Sequence, residues 1–361
     1  MPEQTGLSYF LFTLVVGSLQ RTLVACFAER TVFHFAQSGP NITFSHAYFK
    51  FRNAKIIKYW ITVKFNSNPY FASMITTLRN NRIAIGVHSH GAELRHVTDI
   101  ETGFEFMWQA DPEIWGRSSP LLFPMVGKLK EDTIIIQGKP YSMSQHGFAR
   151  DREFVIETQN ADQIGYVLTS DSETLSKFPY PFKLRIGYQL EGNCLRCIWS
   201  VTNTGKQLMY FSIGAHPGFA LIGHKSEDYF IEWENEEIPK RYMLTNGLFN
   251  GKTETVHEVG KILPLNSQLF DHDALVFKDL HSTQLRLVHR HSSHSIKMDF
   301  RGFPYLGIWC KKGCNAFICI EPWYGCADHM DGNLDISQKP GILQLKASEE
   351  FEAAYTMEFI V

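Results

Sequence analysis

From Met74 to the C-terminus the chain is written in short alternating runs of apolar and polar residues. Phe182, Leu184, Ile186, Tyr188 and Leu190 alternate with polar or small residues and stop at Glu191-Gly192-Asn193. Cys194 to Thr202 follows as the natural hairpin partner and closes at Asn203-Thr204-Gly205. Further strands are read at Asn81–Val87, which alternates, and at Thr133–Gln137, Phe154–Thr158, Tyr166–Ser170, Tyr229–Trp233, Ala274–Phe277, Gln284–Val288, Ser295–Phe300, Tyr305–Trp309, Ala316–Ile320, which is apolar throughout, and Phe351–Ile360. Alternation puts successive side chains on opposite faces of a strand, and Gly, Asn, Asp and Pro between the runs supply turns. The pattern predicts an all-β domain of antiparallel sheets. No segment of 12 or more residues has helical periodicity; the best short candidate is Ser172–Phe178, stopped by Pro179. No period repeats along the chain, which argues against a propeller or solenoid.

Composition changes this picture at one end. Residues 1–73 carry seven Lys/Arg and two acidic residues, a net charge of +5, so residues 74–361 carry −7 of the total −2. The early stretch is also dense in Phe, Tyr and Trp. Its apolar run, Leu7 to Gly17, is shorter than the roughly 20 residues a bilayer needs, and only Glu3 precedes it as a charge, unlike the basic start of a signal peptide. We read 1–73 as an atypical N-terminal extension, poorly ordered or outside the domain, with Met74 as an alternative start, and 74–361 as one catalytic domain. The near-neutral balance leaves no basic footprint for nucleic acid or an anionic membrane. Seven cysteines in 361 residues are not a disulfide scaffold, which favours a reducing, cytoplasmic compartment.

Four distant segments carry groups suited to acid–base chemistry: Gln145–Arg150, Gly214–Phe219, Asp271–Leu275 and Cys319–Gly325. His216 ends an apolar run and is stiffened by Pro217; an imidazole there can donate and accept protons at neutral pH, or be a hydrogen-bonded core histidine. Glu321 follows a fully apolar run beside Trp323 and Tyr324, where burial would raise its pKa into a general base's range; a solvated strand end is the alternative. His146 sits beside Gly147, which lets the backbone approach a ligand, or is a surface-turn histidine. Asp273 can hold sugar hydroxyls or merely form a turn. Trp108, Trp115, Phe148, Trp309, Trp323 and Tyr324 can stack on a pyranose or pack the core. A four-cysteine zinc site from Cys194, Cys197, Cys310 and Cys314 is disfavoured, because Cys194 and Cys197 lie three apart in one strand and face opposite ways. His289 to His294 reads as a solvated hairpin turn. No GxSxG elbow, P-loop or GxGxxG follows a strand.

Taken together, Pro120–Leu129, Gln145–Asp151, Ala215–Phe219, Asp273–Phe277 and Glu321–Gly325 with Asp328 resemble the aldose 1-epimerase (mutarotase) superfamily, in its LacX-like branch, over residues 74–361. The resemblance implies a galactose mutarotase-like β-supersandwich that binds a monosaccharide or sugar phosphate, alone or as a homodimer, without metal or other cofactor. It implies Glu321 as general base at the anomeric hydroxyl, His216 as general acid at the ring oxygen, His146 as a supporting group, and Asp273 as a hydroxyl ligand. Trp323 would lie against the sugar. Lys128 falls where the family carries a substrate-binding arginine, keeping the charge without the planar fork. The His-Gly-Phe-Ala-Arg string is shared with the hexose-6-phosphate branch, so Arg150 would meet a phosphate or else fix the turn through Asp151. A non-catalytic sugar-binding or sensing protein on the same fold is the rival expectation.

Overall fold

The computed structural model describes residues 75–361 throughout; before them it gives only backbone pairing in short hairpins between Leu11 and Tyr59. The reading of 1–73 as an extension lies outside the described residues. Two compact units are distinguished, Met1–Ala72 and Ser73–Val361, and the second is the subject below.

The alternating runs become the strands of two large antiparallel sheets. One has nine strands. It runs from Val155–Gln159 through the hairpins of Gln163–Thr169, Phe182–Glu191 and Cys194–Asn203 to the C-terminal strand Glu350–Ile360. It then continues through Ser295–Asp299, Gln284–His289 and Tyr229–Glu237 to Gly260–Pro264. The hairpin read from the sequence at Glu191–Asn193 is in register, Leu190 facing Leu195 and Phe182 facing Asn203. The other sheet is built on Phe317–Tyr324, flanked by Tyr305–Trp309 on one side and by Ile213–Gly214 and Gly218–Ala220 on the other, and extends to Leu275–Lys278, Lys240–Thr245 and Leu248–Thr255. A three-stranded sheet, Ile75–Arg79, Ile83–His88 and Glu93–Asp99, precedes them.

The two large sheets pack face to face. Trp233 of the first meets Phe277 of the second at 5.7 Å between ring centroids, and Phe351 meets Tyr324 at 5.0 Å. This sandwich core explains the pattern of the strand Phe317–Tyr324. Tyr324 points into the sandwich, so Ile318, Ile320 and Pro322 do too, and Phe317, Cys319, Glu321 and Trp323 point to the opposite face. Seven of its eight residues are buried, because that opposite face is also covered, by Trp115 stacked on Phe317 (5.1 Å, 13°) and by Leu122 and Val126 around Trp323. A strand covered on both sides reads as an unbroken apolar run. The short helix is Ser172–Lys177, with Asp171 and Thr174 forming a reciprocal cap.

Three local expectations change. The run Met209–Ala215 is not one strand: Met209–Phe211 pairs with Leu343–Leu345, and after Ser212 the chain joins the other sheet. Glu321 is inside its strand, not beyond it, because Pro322 lacks an N–H but its carbonyl still accepts from Ala215 (3.1 Å). The His289–His294 turn is only partly solvated: His289 is buried, with the Ser292 hydroxyl 2.8 Å from its Nδ1.

Candidate active site

His216 and Glu321 are brought together by register. Gly214 faces Trp323 and Gly218 faces Cys319, so counting inward His216 falls opposite Glu321. The rungs on either side are the hydrogen-bonded ones: Ala215 N–H donates to Pro322 O at 3.1 Å and Ile320 N–H to Pro217 O at 3.2 Å. The His216–Glu321 rung is therefore a non-hydrogen-bonded pair, the kind in which facing side chains lie closest. Each flanking rung has lost its second bond to a proline. The indole N–H of Trp323 takes over one of them, donating to Ala215 O at 3.1 Å. Trp323 fits because its neighbours across the sheet are glycines: a Cβ on Gly214 or Gly307 would come within 2.5 Å of the indole.

Imidazole Nε2 and carboxyl Oε2 are 3.2 Å apart but not aligned for a hydrogen bond, and His216 Nδ1 and Glu321 Oε2 are left without partners. Glu321 is 1% exposed and His216 8%. Burial without a compensating bond disfavours the charged form of each. Burial pushes Glu321 well above the usual carboxylate range, with the Asp273 charge adding to it. Burial pulls His216 down to about 3, helped by the Arg150 and Arg117 charges. Burial thus favours the neutral form of each, the protonated carboxyl and the singly protonated imidazole. Trp115 and Trp309 close on the imidazole, their ring centroids 5.1 and 5.5 Å away.

His146 stands edge-on to His216 at 5.6 Å between ring centroids. Its backbone is left-handed (φ 69°) and tied to Gly127 twice: its N–H donates to Gly127 O at 3.0 Å, and its Nδ1 accepts from Gly127 N–H at 3.2 Å. An Nδ1 that accepts leaves the neutral ring's proton on Nε2; the Gln145 amide nitrogen is 3.1 Å from that atom, and exchanging the carboxamide's O and N lets Nε2–H donate to it. Burial, followed by the His216 charge, pulls His146 well down. Gly127 cannot be replaced without a clash, since a Cβ there would lie 2.5 Å from Ala327 N.

The other expected residues form a rim. Lys128 is half-buried; its stem runs under Gly247 and its backbone O accepts from Asp328 N–H at 2.9 Å. Asp328 anchors this segment further, accepting from Lys130 N–H at 2.9 Å and pairing with buried Lys339. Asp273 is exposed at φ 76° and its carboxylate accepts from Ala274 N–H at 2.8 Å; its charge nevertheless reaches Glu321. Arg150 donates to Gln145 O at 2.7 Å and lies 3.8 Å from Asp151. Trp323 is 6% exposed and its N–H is committed to Ala215, so it holds the floor of the site and offers little surface for stacking.

Sequence reasoning did not single out Arg117, whose guanidinium donates to Asp151 at 2.6 Å, nor Cys319, two residues before Glu321 on the same face. The donor atoms of His216, Cys319 and Glu321 lie within 4.8 Å of one another, the one such three-donor group among the described residues. Burial holds the Cys319 thiol well above its ordinary pKa, so a metal there would have to displace a proton.

The fold is a galactose mutarotase-like β-supersandwich, and the buried His216–Glu321 pair stands on one face of its sheet with His146 edge-on to His216. The comparisons agree, and the chain belongs to the aldose 1-epimerase family, whose model matches residues 74–342. It is 33% identical over 301 residues to the LacX proteins of Lactococcus lactis, chromosomal and plasmid, across 80% of this chain and 100% of theirs. Among solved structures, it is similar to a galactose mutarotase related enzyme from Lactobacillus acidophilus, with TM-score 0.75 and 34% identity over 79% of this chain and 97% of that one. A galactose mutarotase-like protein from Lactobacillus casei gives TM-score 0.75 and 31% identity over 79% and 100%. No helix among the described residues is long and apolar enough to cross a membrane.

Proposed function

We propose that residues 74–361 interconvert the α and β anomers of an aldose, a hexose or hexose phosphate, by opening and reclosing the ring. The observation that carries this is the buried His216–Glu321 rung at 3.2 Å. Anomerisation moves one proton off the anomeric hydroxyl and another onto the ring oxygen, and needs a base and an acid close together. With sugar bound, its hydroxyls restore polar surroundings, and the shared proton shifts from Glu321 to His216. Glu321 then takes the hydroxyl proton while His216 protonates the ring oxygen. The dyad ends in the neutral form it has when empty, now with open-chain aldose beside it. Rotation about C1–C2 and the reverse transfers give the other anomer. The pair holds one proton throughout, so no net proton exchange with water is required.

His146, donating from Nε2, orients the sugar. Lys128 and Asp273 hold hydroxyls at the rim, and Arg150 meets the phosphate of a phosphorylated sugar. The test is polarimetric. Purified protein is expected to speed the approach of fresh α-D-glucose, α-D-galactose or their 6-phosphates to rotational equilibrium. Sugar binding by saturation-transfer NMR without any acceleration would instead mark a non-catalytic sugar-binding protein.

A further inference from the structure

Two residues along the strand from Glu321, on the same face, Cys319 stands opposite Gly218. The donor atoms of His216, Cys319 and Glu321 lie within 4.8 Å of one another. All three side chains are buried, and Glu321 Oε2 has no hydrogen-bond partner. Gly218 brings no side chain against the thiol: a Cβ there would lie 3.4 Å from Cys319 Sγ and 2.8 Å from the Trp115 ring. Anomer exchange uses the carboxyl and the imidazole and gives the thiol no task.

The spacing matches that of ligands around one small cation. Nitrogen and oxygen ligands held about 2.0–2.1 Å from a tetrahedral zinc ion stand about 3.3 Å apart. His216 Nε2 and Glu321 Oε2 stand 3.2 Å apart, without a hydrogen bond to account for it. A thiolate, an imidazole and a carboxylate suit a borderline-soft ion such as Zn²⁺, whereas Mg²⁺ and Ca²⁺ take oxygen ligands. Charge also closes. On binding, the thiol and the carboxyl each release a proton, and the resulting thiolate and carboxylate balance a dication, so the buried centre carries no net charge. Three protein ligands leave the fourth corner to a water. His216 is the least buried of the three, so the cation arrives from the imidazole side.

We propose that His216, Cys319 and Glu321 form an inhibitory site for Zn²⁺ and similar divalent cations, which silence the acid–base pair by occupying the imidazole lone pair and the carboxylate. The inhibition rests on the anomer-exchange reading of that pair; the binding of the metal does not.

The experiment titrates Zn²⁺ into the chelator-treated, desalted full chain and follows mutarotation of aldoses by polarimetry, with Mg²⁺ as the oxygen-seeking control. Zinc bound per chain is counted separately by competition with a chromogenic chelator. Zn²⁺ is expected to inhibit wild type, sugar to protect it and chelator to restore the rate, while Mg²⁺ has no effect. Cys319→Ala keeps both proton-transfer groups. It should raise the half-inhibiting zinc concentration by at least about tenfold, the least that disturbing even an outer partner of a metal ligand costs, and bind one zinc fewer per chain. Cys314→Ser is the control for zinc held at the neighbouring turn, where the Cys310 thiol donates to Cys314 O at 3.1 Å; it should be inhibited like wild type. Should Cys319→Ala fail to fold, Cys319→Ser carries the same comparison. Wild type unaffected or accelerated by zinc, inhibition unchanged in Cys319→Ala, or inhibition lost in Cys314→Ser overturns the inhibitory site while anomer exchange stands. Should no sugar exchange at all, the anomer-exchange reading fails and the zinc count alone judges the metal site: one fewer in Cys319→Ala upholds it, an equal count overturns it.

Discussion

The floor and the rim of the candidate site obey opposite electrostatics. On the floor, Glu321 and His216 are almost sealed from water and shed their charge, one by gaining a proton and the other by losing it. On the rim, Arg117, Asp151 and Asp273 stay in reach of solvent, and the two arginines are answered by Asp151. Water screens the rim, so each charge there is cheap to hold and worth little alone. The floor has no such screen, so the position of a single proton governs it. On the proposed function, chemistry is confined to the dry groups and choice of sugar to the wet ones.

The sharpest way to break this contrast is Glu321→Gln. Anomer exchange is expected to fall roughly 10²–10⁴-fold by polarimetry. The same variant should become more stable than wild type above neutral pH. A carboxyl whose folded pKa is raised adds stability at low pH and loses it as pH rises towards that folded value; the amide has no such loss. Thermal melts against pH read this directly, and a less stable Glu321→Gln at pH 8 would contradict the neutral floor.

His216 has the mirror-image sign. Its folded pKa lies below the ordinary 6.5, so its contribution is present above that value and lost as pH falls towards about 3. His216→Asn should flatten the acid limb of the stability profile over that window, and an unchanged limb would place the acid sensitivity elsewhere.

A buried ion pair gives the next comparison. Asp328 and Lys339 are 5% exposed each, yet Asp328 also accepts from Lys130 N–H. Lys339→Met strands that carboxylate and should cost about 3–5 kcal/mol in denaturant unfolding. Trp323→Phe is a smaller change. It leaves Ala215 O without its indole donor, costing about 1–3 kcal/mol, and should lower kcat more than it raises KM because the His216 rung is loosened. Smallest is Lys128→Arg on the rim, expected to lower KM a few-fold with kcat unchanged; a large change in kcat would move Lys128 from the rim to the chemistry.

How much of this was legible in the sequence follows from the same contrast. Strands such as Phe182–Glu191 were readable because one face is buried and the other is wet, so alternation survives in the residues themselves. Glu93–Asp99 and Lys240–Thr245 were passed over, since charged residues within them mask the period. Glu321 and His216 stood out as polar residues next to apolar runs and prolines. Their pairing was legible only through the family resemblance, because in the chain itself it depends on register between two strands far apart in sequence. Arg117 was missed for a related reason: nothing around it in the chain distinguishes it, and it matters through its bond to Asp151 and the charge it presents to His216 and His146. Trp323 was legible as an aromatic beside Glu321, but its role as the donor that replaces Pro322 requires knowing which carbonyl lies opposite.

The proline-flanked rung also sets what kinds of genetic change the site can survive. A substitution in 214–218 or 317–324 changes a side chain but not the register that sets His216 opposite Glu321. A one-residue insertion or deletion in either strand cannot be absorbed in the same way. Side chains alternate faces, so a slip of one sends Glu321 into the sandwich, and a slip of two faces His216 with Cys319 or Trp323. The active pair is thus written in the alignment of two strands, and a frame-preserving indel there would erase it with every residue still present.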